Sequence, residues 1–210
     1  RGTFRTQGWA HFHSVSYRIL FSEPADSIRM FTDGKETPAS VPSKMHSDKD
    51  LKYHFKFPAS DKPLLVKVAL SPVDPDGAVK NMESELPEWD FDATVAQSEQ
   101  VWNEALNRVS MTSSDPVVMK NFYTALYHSM IAPFAYQDVD GRYLGMDKQV
   151  HTAEAGYTNY TVFSLWDTFR ALHPLMTIID PALAADWGKV MVHGYKEGGI
   201  LPKWPLASSY

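Results

Sequence analysis

The hydrophobic period of this chain changes once, near Asp90, and that change limits what it can fold into. Before it, apolar residues recur at every second position; after it, at every third or fourth. A strand turns alternate side chains to one face, and a helix turns residues three and four apart to one face. In "VSYRILF", Val15, Tyr17, Ile19 and Phe21 alternate with Ser16, Arg18 and Leu20. "LKYHFKF" repeats the pattern with Leu51, Tyr53, Phe55 and Phe57, and "PLLVKVALSP" adds Leu64, Val66, Val68 and Leu70. Turn signals lie between them, in "SEPAD", "TDGKETP", "FPASDKP" and "DPDG". Short strands at this spacing predict part of a β-sandwich rather than a βαβ unit.

The second half predicts helices with legible ends. "DFDATVAQSEQVWNEALNRV" puts Val95, Trp102, Leu106 and Val109 on one stripe with Asp90 at its start, a connecting helix. Asp115 and Pro116 then supply an N-cap and a first helical position, and Pro133 ends a run through Val118, Phe122, Leu126 and Met130. A third helix is predicted over about Thr161 to Ile179. A fourth begins at Asp180-Pro181 and stops at Gly198-Gly199. The predicted fold class is α+β, divided into a β part over 1–88, a linker helix over 89–112 and a helical domain beginning at 113 and running to 210.

A net charge of −5 without any basic cluster argues against nucleic acid as a partner, because phosphate binding needs a basic face. The absence of cysteine removes thiol nucleophiles, thiolate metal sites and disulfides. No apolar run approaches the ~20 residues of a membrane span. The chain opens without Met or a signal-peptide pattern, as if cut from something longer.

Few stretches carry chemistry. Asp138 and Asp140 in "DVDG" mimic the start of a calcium loop but lack its later ligands, and read as a turn. His11 and His13 share a strand face with no third ligand, so an exposed face is expected there. Asn159-Tyr160-Thr161 forms a glycosylation sequon beside an apolar helix start and reads as accidental. Glu83, Glu85, Asp90 and Asp92 flank a helix N-terminus, where capping suits them better than acid–base work.

The remaining stretch is "FSLWDTFR". Asp167 and Arg170 lie three apart on a predicted helix, so one reading is an intrahelical ion pair, with Trp166 in the core against Phe169 and His173. The other is a sugar subsite, an aromatic face beside a carboxylate that binds vicinal hydroxyls. Lys203 and Trp204 in "ILPKW" repeat the theme in a loop after a helix stop. Residue types alone leave both readings open.

Taken together, "NFYTALYHSMIAP", "DVDGRYLGMD", "YTNYTVFSLWDTFRALHPLMTIIDP" and "YKEGGILPKWPLASSY" resemble the family 92 glycoside hydrolases, exo-acting α-mannosidases found chiefly in bacteria. The match extends back through "LLVKVALSPVDPDGAVKNMESELPEWDFD" and more weakly through "QGWA". The resemblance implies an N-terminal β-sandwich, a helical linker and the first helices of an (α/α)6 barrel. It also implies calcium-dependent, inverting hydrolysis of terminal α-linked mannose in glycans, and a periplasmic or secreted location. The catalytic acid and base and the calcium ligands are expected outside this chain, in the remainder of the same enzyme. The mannose-binding positions it implies here are Trp166 and Asp167, with Lys203 and Trp204, and with Arg170 orienting Asp167. Alone, the chain is expected not to hydrolyse mannosides. The alternatives are a non-catalytic carbohydrate-binding module built on Trp166 and Trp204, and a purely structural domain.

Overall fold

The computed structural model describes residues 1–8, 11–37 and 50–209, so Trp9, Ala10 and Tyr210, at the ends of two matching motifs, lie outside the described residues. In chain order the first elements are β1 (Gly2–Gly8), β2 (His11–Phe21), β3 (Ser27–Thr32), β4 (Lys35–Thr37), β5 (Leu51–Lys56) and β6 (Val66–Ser71). Three helices follow: α1 (Pro75–Glu85), α2 (Phe91–Leu106) and α3 (Pro116–Ser129). Then come the short strands β7 (Phe134–Ala135), β8 (Arg142–Leu144), β9 (Val150–Thr152) and β10 (Tyr160–Thr161). The last helices are α4 (Leu165–Thr168), α5 (Leu172–Ile179) and α6 (Pro181–Gly198). The chain forms two compact units, residues 20–67 and residues 1–19 with 68–210.

In the first unit, β3 is the centre of an antiparallel sheet in the order β4-β3-β5. Asp33 and Gly34 both take positive φ in the two-residue turn that pairs Thr32 with Lys35, as a tight hairpin requires. Met30 is buried, and the Phe21 ring lies 4.9 Å from Phe55 and 5.0 Å from Phe57.

The second unit holds the antiparallel pair β1–β2, with β6 on the far side of β2, and all six helices. Three of the helices begin with the same device. Asp74, Asp115 and Asp180 are N-caps whose carboxylates accept from Gly77 N, Val117 N and Leu183 N, each followed by proline at the first helical position. The "DPDG" stretch expected to be a turn is therefore the start of α1. Its Asp-Pro signal was the one that marked the later helices, and the glycine was misleading. Gly77 is there because the helix passes close to another side chain, as described below. Asp90 caps α2 through Ala93 N, and Gly199 ends α6 at φ 78°.

The third predicted helix is broken. Tyr160–Thr161 pairs with β7, and α4 and α5 are separated by Phe169–Ala171. Pro174 explains the break, since it has no N–H and its ring collides with the carbonyl four residues back, at Arg170. The core lies beneath this segment: Tyr157, Phe163, Met176, Trp187 and Val190 form one buried cluster. The Phe163 ring meets Trp187 edge-on at 6.0 Å, and His173 packs against both.

The alternation on β6 is correct in period and unexpected in sense. Ala69 and Ser71 are buried, while Val68 and Leu70 are 52% and 56% exposed. Phe4 and Ile19 are also exposed, and the Phe4–Val15 register puts both on one face of the β1–β2 pair. Val68→Thr and Leu70→Thr should therefore change the stability of this chain by less than about 0.5 kcal/mol. Ser71→Val should cost about 2 kcal/mol, because it removes one of the hydrogen bonds to a buried carboxylate. Thermal unfolding of the three variants checks the ranking.

That carboxylate is Asp138, 1% exposed. It accepts from Ser71 Oγ at 2.9 Å and Asn81 Nδ2 at 2.8 Å, and Asn81 also bonds Leu70 O and Val139 N. Strand β6, helix α1 and the loop before β8 are thereby tied at one point. Arg142 joins Asp74 and Asp140 at 2.9 Å each and reaches toward Asp138 at 3.6 Å, while Lys80 also pairs with Asp140. Gly141 N bonds Asp138 O at 2.8 Å, with Gly141 at φ 81°, so "DVDG" is the expected turn.

Burial raises the Asp138 pKa, whereas Lys80 holds Asp140 down at about 2 and Arg142 lowers Asp74. A lowered folded-state pKa adds stability above the unfolded value and loses it as pH falls through the folded value. Asp140 and Asp74 should thus make the chain lose stability as pH drops from about 4 toward about 2, and Asp138 should oppose that loss. Asp140→Asn should flatten the acid limb of a stability–pH profile.

Candidate functional site

The Trp166–Asp167 stretch sits on α4, a four-residue turn of helix held at both ends. Ser164 O accepts from Asp167 N, Thr168 N and Thr168 Oγ1, and Thr168 Oγ1 also meets His173 Nε2 at 2.9 Å across the break. Leu165 and Leu172 pack onto the core cluster. With these residues turned inward, Trp166 and Asp167 face solvent, Trp166 being 54% exposed. The core position suggested for Trp166 belongs instead to Phe163 and Trp187, against which His173 packs. Desolvation lowers the His173 pKa, which favours the neutral ring in its packed position.

The carboxylate of Asp167 accepts a 2.5 Å hydrogen bond from Ser164 Oγ, which fixes its direction. Ser164 was not singled out from the sequence; its three-residue spacing to Asp167, one helical turn, is the signal that could have found it. Arg170 makes no ion pair with Asp167; its guanidinium lies 5.3 Å from the centre of the exposed Phe169 ring. Lys203 is exposed at the start of the following loop.

Trp204 meets Trp166, with ring centres 5.5 Å apart and planes at 33°. The strap that carries Trp204, residues 202–209, is fastened from several sides. Pro205 O accepts from both Val162 N and Phe163 N, at 3.1 and 3.3 Å, and Ala207 O accepts from Thr161 Oγ1. Lys148 donates to Ser208 O and to Ser209 Oγ, and Ser209 Oγ donates to Phe12 O on β2. For both N–H groups to converge on one carbonyl, Val162 adopts φ 65°, a left-handed conformation that is a strong outlier for a β-branched residue. No sequence signal announced Val162 or Lys148 in these roles.

Behind the strap, Glu197 on α6 accepts from Tyr143 Oη at 2.7 Å and Met146 N at 3.0 Å. A cavity of about 20 Å³ lies there, lined by Tyr143, Met146, Glu197, Pro202 and Pro205. It has room for one water and none for a sugar, whereas Trp166 and Asp167 stand on the solvent-exposed side. Asn159, the sequon residue, is buried and donates to Tyr136 O, which leaves its amide no access to a glycan. His13 is half-buried on β2, and the side chain of His11 lies outside the described ones.

Comparison with known proteins agrees with this layout. The GH92 α-mannosidase BT3965 of Bacteroides thetaiotaomicron superposes on 99% of this chain with a TM-score of 0.89 and 33% identity, and the chain spans 29% of that protein's length. The same enzyme in complex with mannoimidazole matches equally well. The GH92 inverting mannosidase BT2199 from the same organism shares the fold at 23% identity, with a TM-score of 0.77 over 91% of this chain and 26% of its own. An uncharacterized secreted glycosidase of Arthroderma benhamiae is 36% identical over 74 residues, a third of this chain (33%) and 10% of that protein. Residues 77–210, well over half of the chain and including Trp166, Asp167 and the strap of Trp204, match the glycosyl hydrolase family 92 catalytic domain. The chain therefore belongs to glycosyl hydrolase family 92.

Proposed function

We propose that this chain forms part of an exo-α-mannosidase and supplies the wall of its mannose pocket that holds the hydroxyls remote from the scissile bond. The observation that carries the reading is the solvent-facing Trp166 beside an Asp167 carboxylate already oriented by Ser164. An indole offers the apolar face of a pyranose a flat surface, and a fixed carboxylate accepts two hydrogen bonds from vicinal hydroxyls without reorganising. The enzyme relatives, one of them in complex with mannoimidazole, support mannose as the sugar, within mannose-containing glycans.

Hydrolysis with inversion needs a carboxylic acid at the leaving oxygen and a carboxylate base behind a water, about 6.5–9.5 Å apart. We assign neither to this chain; both come from the remainder of the same enzyme. Calcium is assigned there too. Among the described residues no group of three or more His, Asp or Glu side chains is placed to hold a metal ion. The one gathering of aspartates, Asp74, Asp138 and Asp140, is closed around Arg142 and does not fit a cation. The exposed apolar faces of β6 and of β1–β2 fit a β-sandwich completed by a further layer, and the helices fit the opening of an (α/α)6 barrel. A secreted or periplasmic location suits an enzyme of extracellular glycans and the secreted relative; among the described residues no helix is long and apolar enough to cross a membrane.

Calorimetric titration of mannose into the full-length enzyme and its variants tests this. Asp167→Ala should weaken binding about 10- to 100-fold, the value of hydrogen bonds to a charged group. Ser164→Ala, which frees the carboxylate without removing it, should cost about threefold. Equal affinity in wild type and Asp167→Ala would remove Asp167 from the sugar site.

A further inference from the structure

Two tryptophans beside a carboxylate suggest a slot in which a sugar is held between opposed rings. The distances do not allow it. Carbon atoms in contact sit ~3.5–4.0 Å apart, so a ring between two indoles needs their centres at least about 7 Å apart. Trp166 and Trp204 are 5.5 Å apart, already touching each other. We propose that Trp204 is a positioning residue: it backs Trp166 from behind and does not touch the sugar, which stacks on the opposite, open face of Trp166. The proposal rests on the mannose-pocket reading above.

The fastening of the strap supports the division of labour. Trp166 stands on a helical turn of four residues, too short to hold a large exposed ring rigid by itself. Trp204 is half-buried, and its strap is tied to Val162, Phe163, Thr161 and Lys148. Val162 and Lys148, both at φ 65°, and Ala207 on the strap, at φ 53°, take left-handed backbone conformations at these contacts. Such an anchorage suits a fixed backing, against which the more exposed ring is held at one angle. The strap connects through Ser209 to β2 as well, so the angle of Trp166 is set by elements far from it in sequence.

The test is a double-mutant cycle on kcat/KM for an aryl α-mannoside in the full-length enzyme, with circular dichroism of the same proteins. Wild type should show the exciton couplet of two contacting indoles, lost in both Trp166→Phe and Trp204→Phe. Trp166→Ala should lower kcat/KM by about 100-fold, and Trp204→Ala by about tenfold through loss of the ring–ring contact. Trp204→Phe, which keeps an aromatic backing, should stay within about threefold of wild type. In the Trp166→Ala background, Trp204→Ala should have no further effect, because it acts only through Trp166. A persistent tenfold loss in that background would mean that Trp204 touches the sugar itself, and would overturn the proposal. Absence of the couplet in wild type would overturn it on geometry. Unchanged kcat/KM in Trp166→Ala would instead sink the mannose-pocket reading on which it rests, an outcome distinct from both.

Discussion

Gly77→Ala should destabilise this chain by about 3 kcal/mol, although alanine is the better helix former by ~1 kcal/mol in an ordinary helix interior. A Cβ at position 77 would stand 2.1 Å from Asp138 Oδ2, 2.5 Å from Ser71 Oγ and 2.8 Å from Asp138 Cγ. None of these atoms is the far end of a free side chain. Asp138 is pinned by Ser71 and Asn81, and moving it would break hydrogen bonds to a buried carboxylate. The clash exceeds the propensity term, which sets the sign. Urea unfolding should show a lower midpoint at unchanged slope. A variant as stable as wild type, or more so, would mean that Asp138 is not seated against α1.

Arg142→Ala should cost a similar amount, about 3 kcal/mol, for an electrostatic reason. The guanidinium, 26% exposed, is shared by Asp74, Asp140 and Asp138, and only Asp138 among the three is fully buried. Removing the cation leaves Asp138 a charge that water does not reach and that only the neutral donors Ser71 and Asn81 still offset. Asp138→Asn in the same background should therefore recover more than about 1 kcal/mol, since the amide carries no charge to orphan. The deficit of Arg142→Ala should also shrink as pH falls. Burial already raises the Asp138 pKa, and loss of Arg142 raises it further, so protonation removes the penalty. Unfolding free energies at two pH values check this. A deficit that grows on acidification would contradict it.

The helix ends were legible because capping is local. Asp90, Asp115-Pro116, Asp180-Pro181 and Gly199 act through backbone groups within a few residues of themselves. The strands at β2, β5 and β6 were legible for the same reason, since period two is a property of consecutive residues. Helix α1 was lost because glycine in "DPDG" was weighed as a turn former, when its neighbour across space required it. The break between α4 and α5 was written in Pro174 and overridden by the apolar run around it.

The site divides in the same way. Ser164 reaches Asp167 across a single helical turn, a local relation, though Ser164 was not singled out from the sequence. The Trp166–Trp204 contact joins residues 38 apart, and nothing in either segment specifies the other. The sense of the β6 alternation was equally hidden. Val68 and Leu70 look like core residues in any sequence reading, and only Asp138, 67 positions beyond Ser71, shows why the small polar face turns inward.

By itself, then, the sequence determined the α+β order, the starts of α2, α3 and α6 and the family, because these rest on short-range backbone chemistry and on contiguous motifs. The tertiary structure decided which sheet face is buried, why Gly77 must be glycine, and that Trp166 stands in solvent with Trp204 behind it. Those outcomes depend on distances between residues far apart along the chain, and on a buried charge that must find its partners wherever the fold places them.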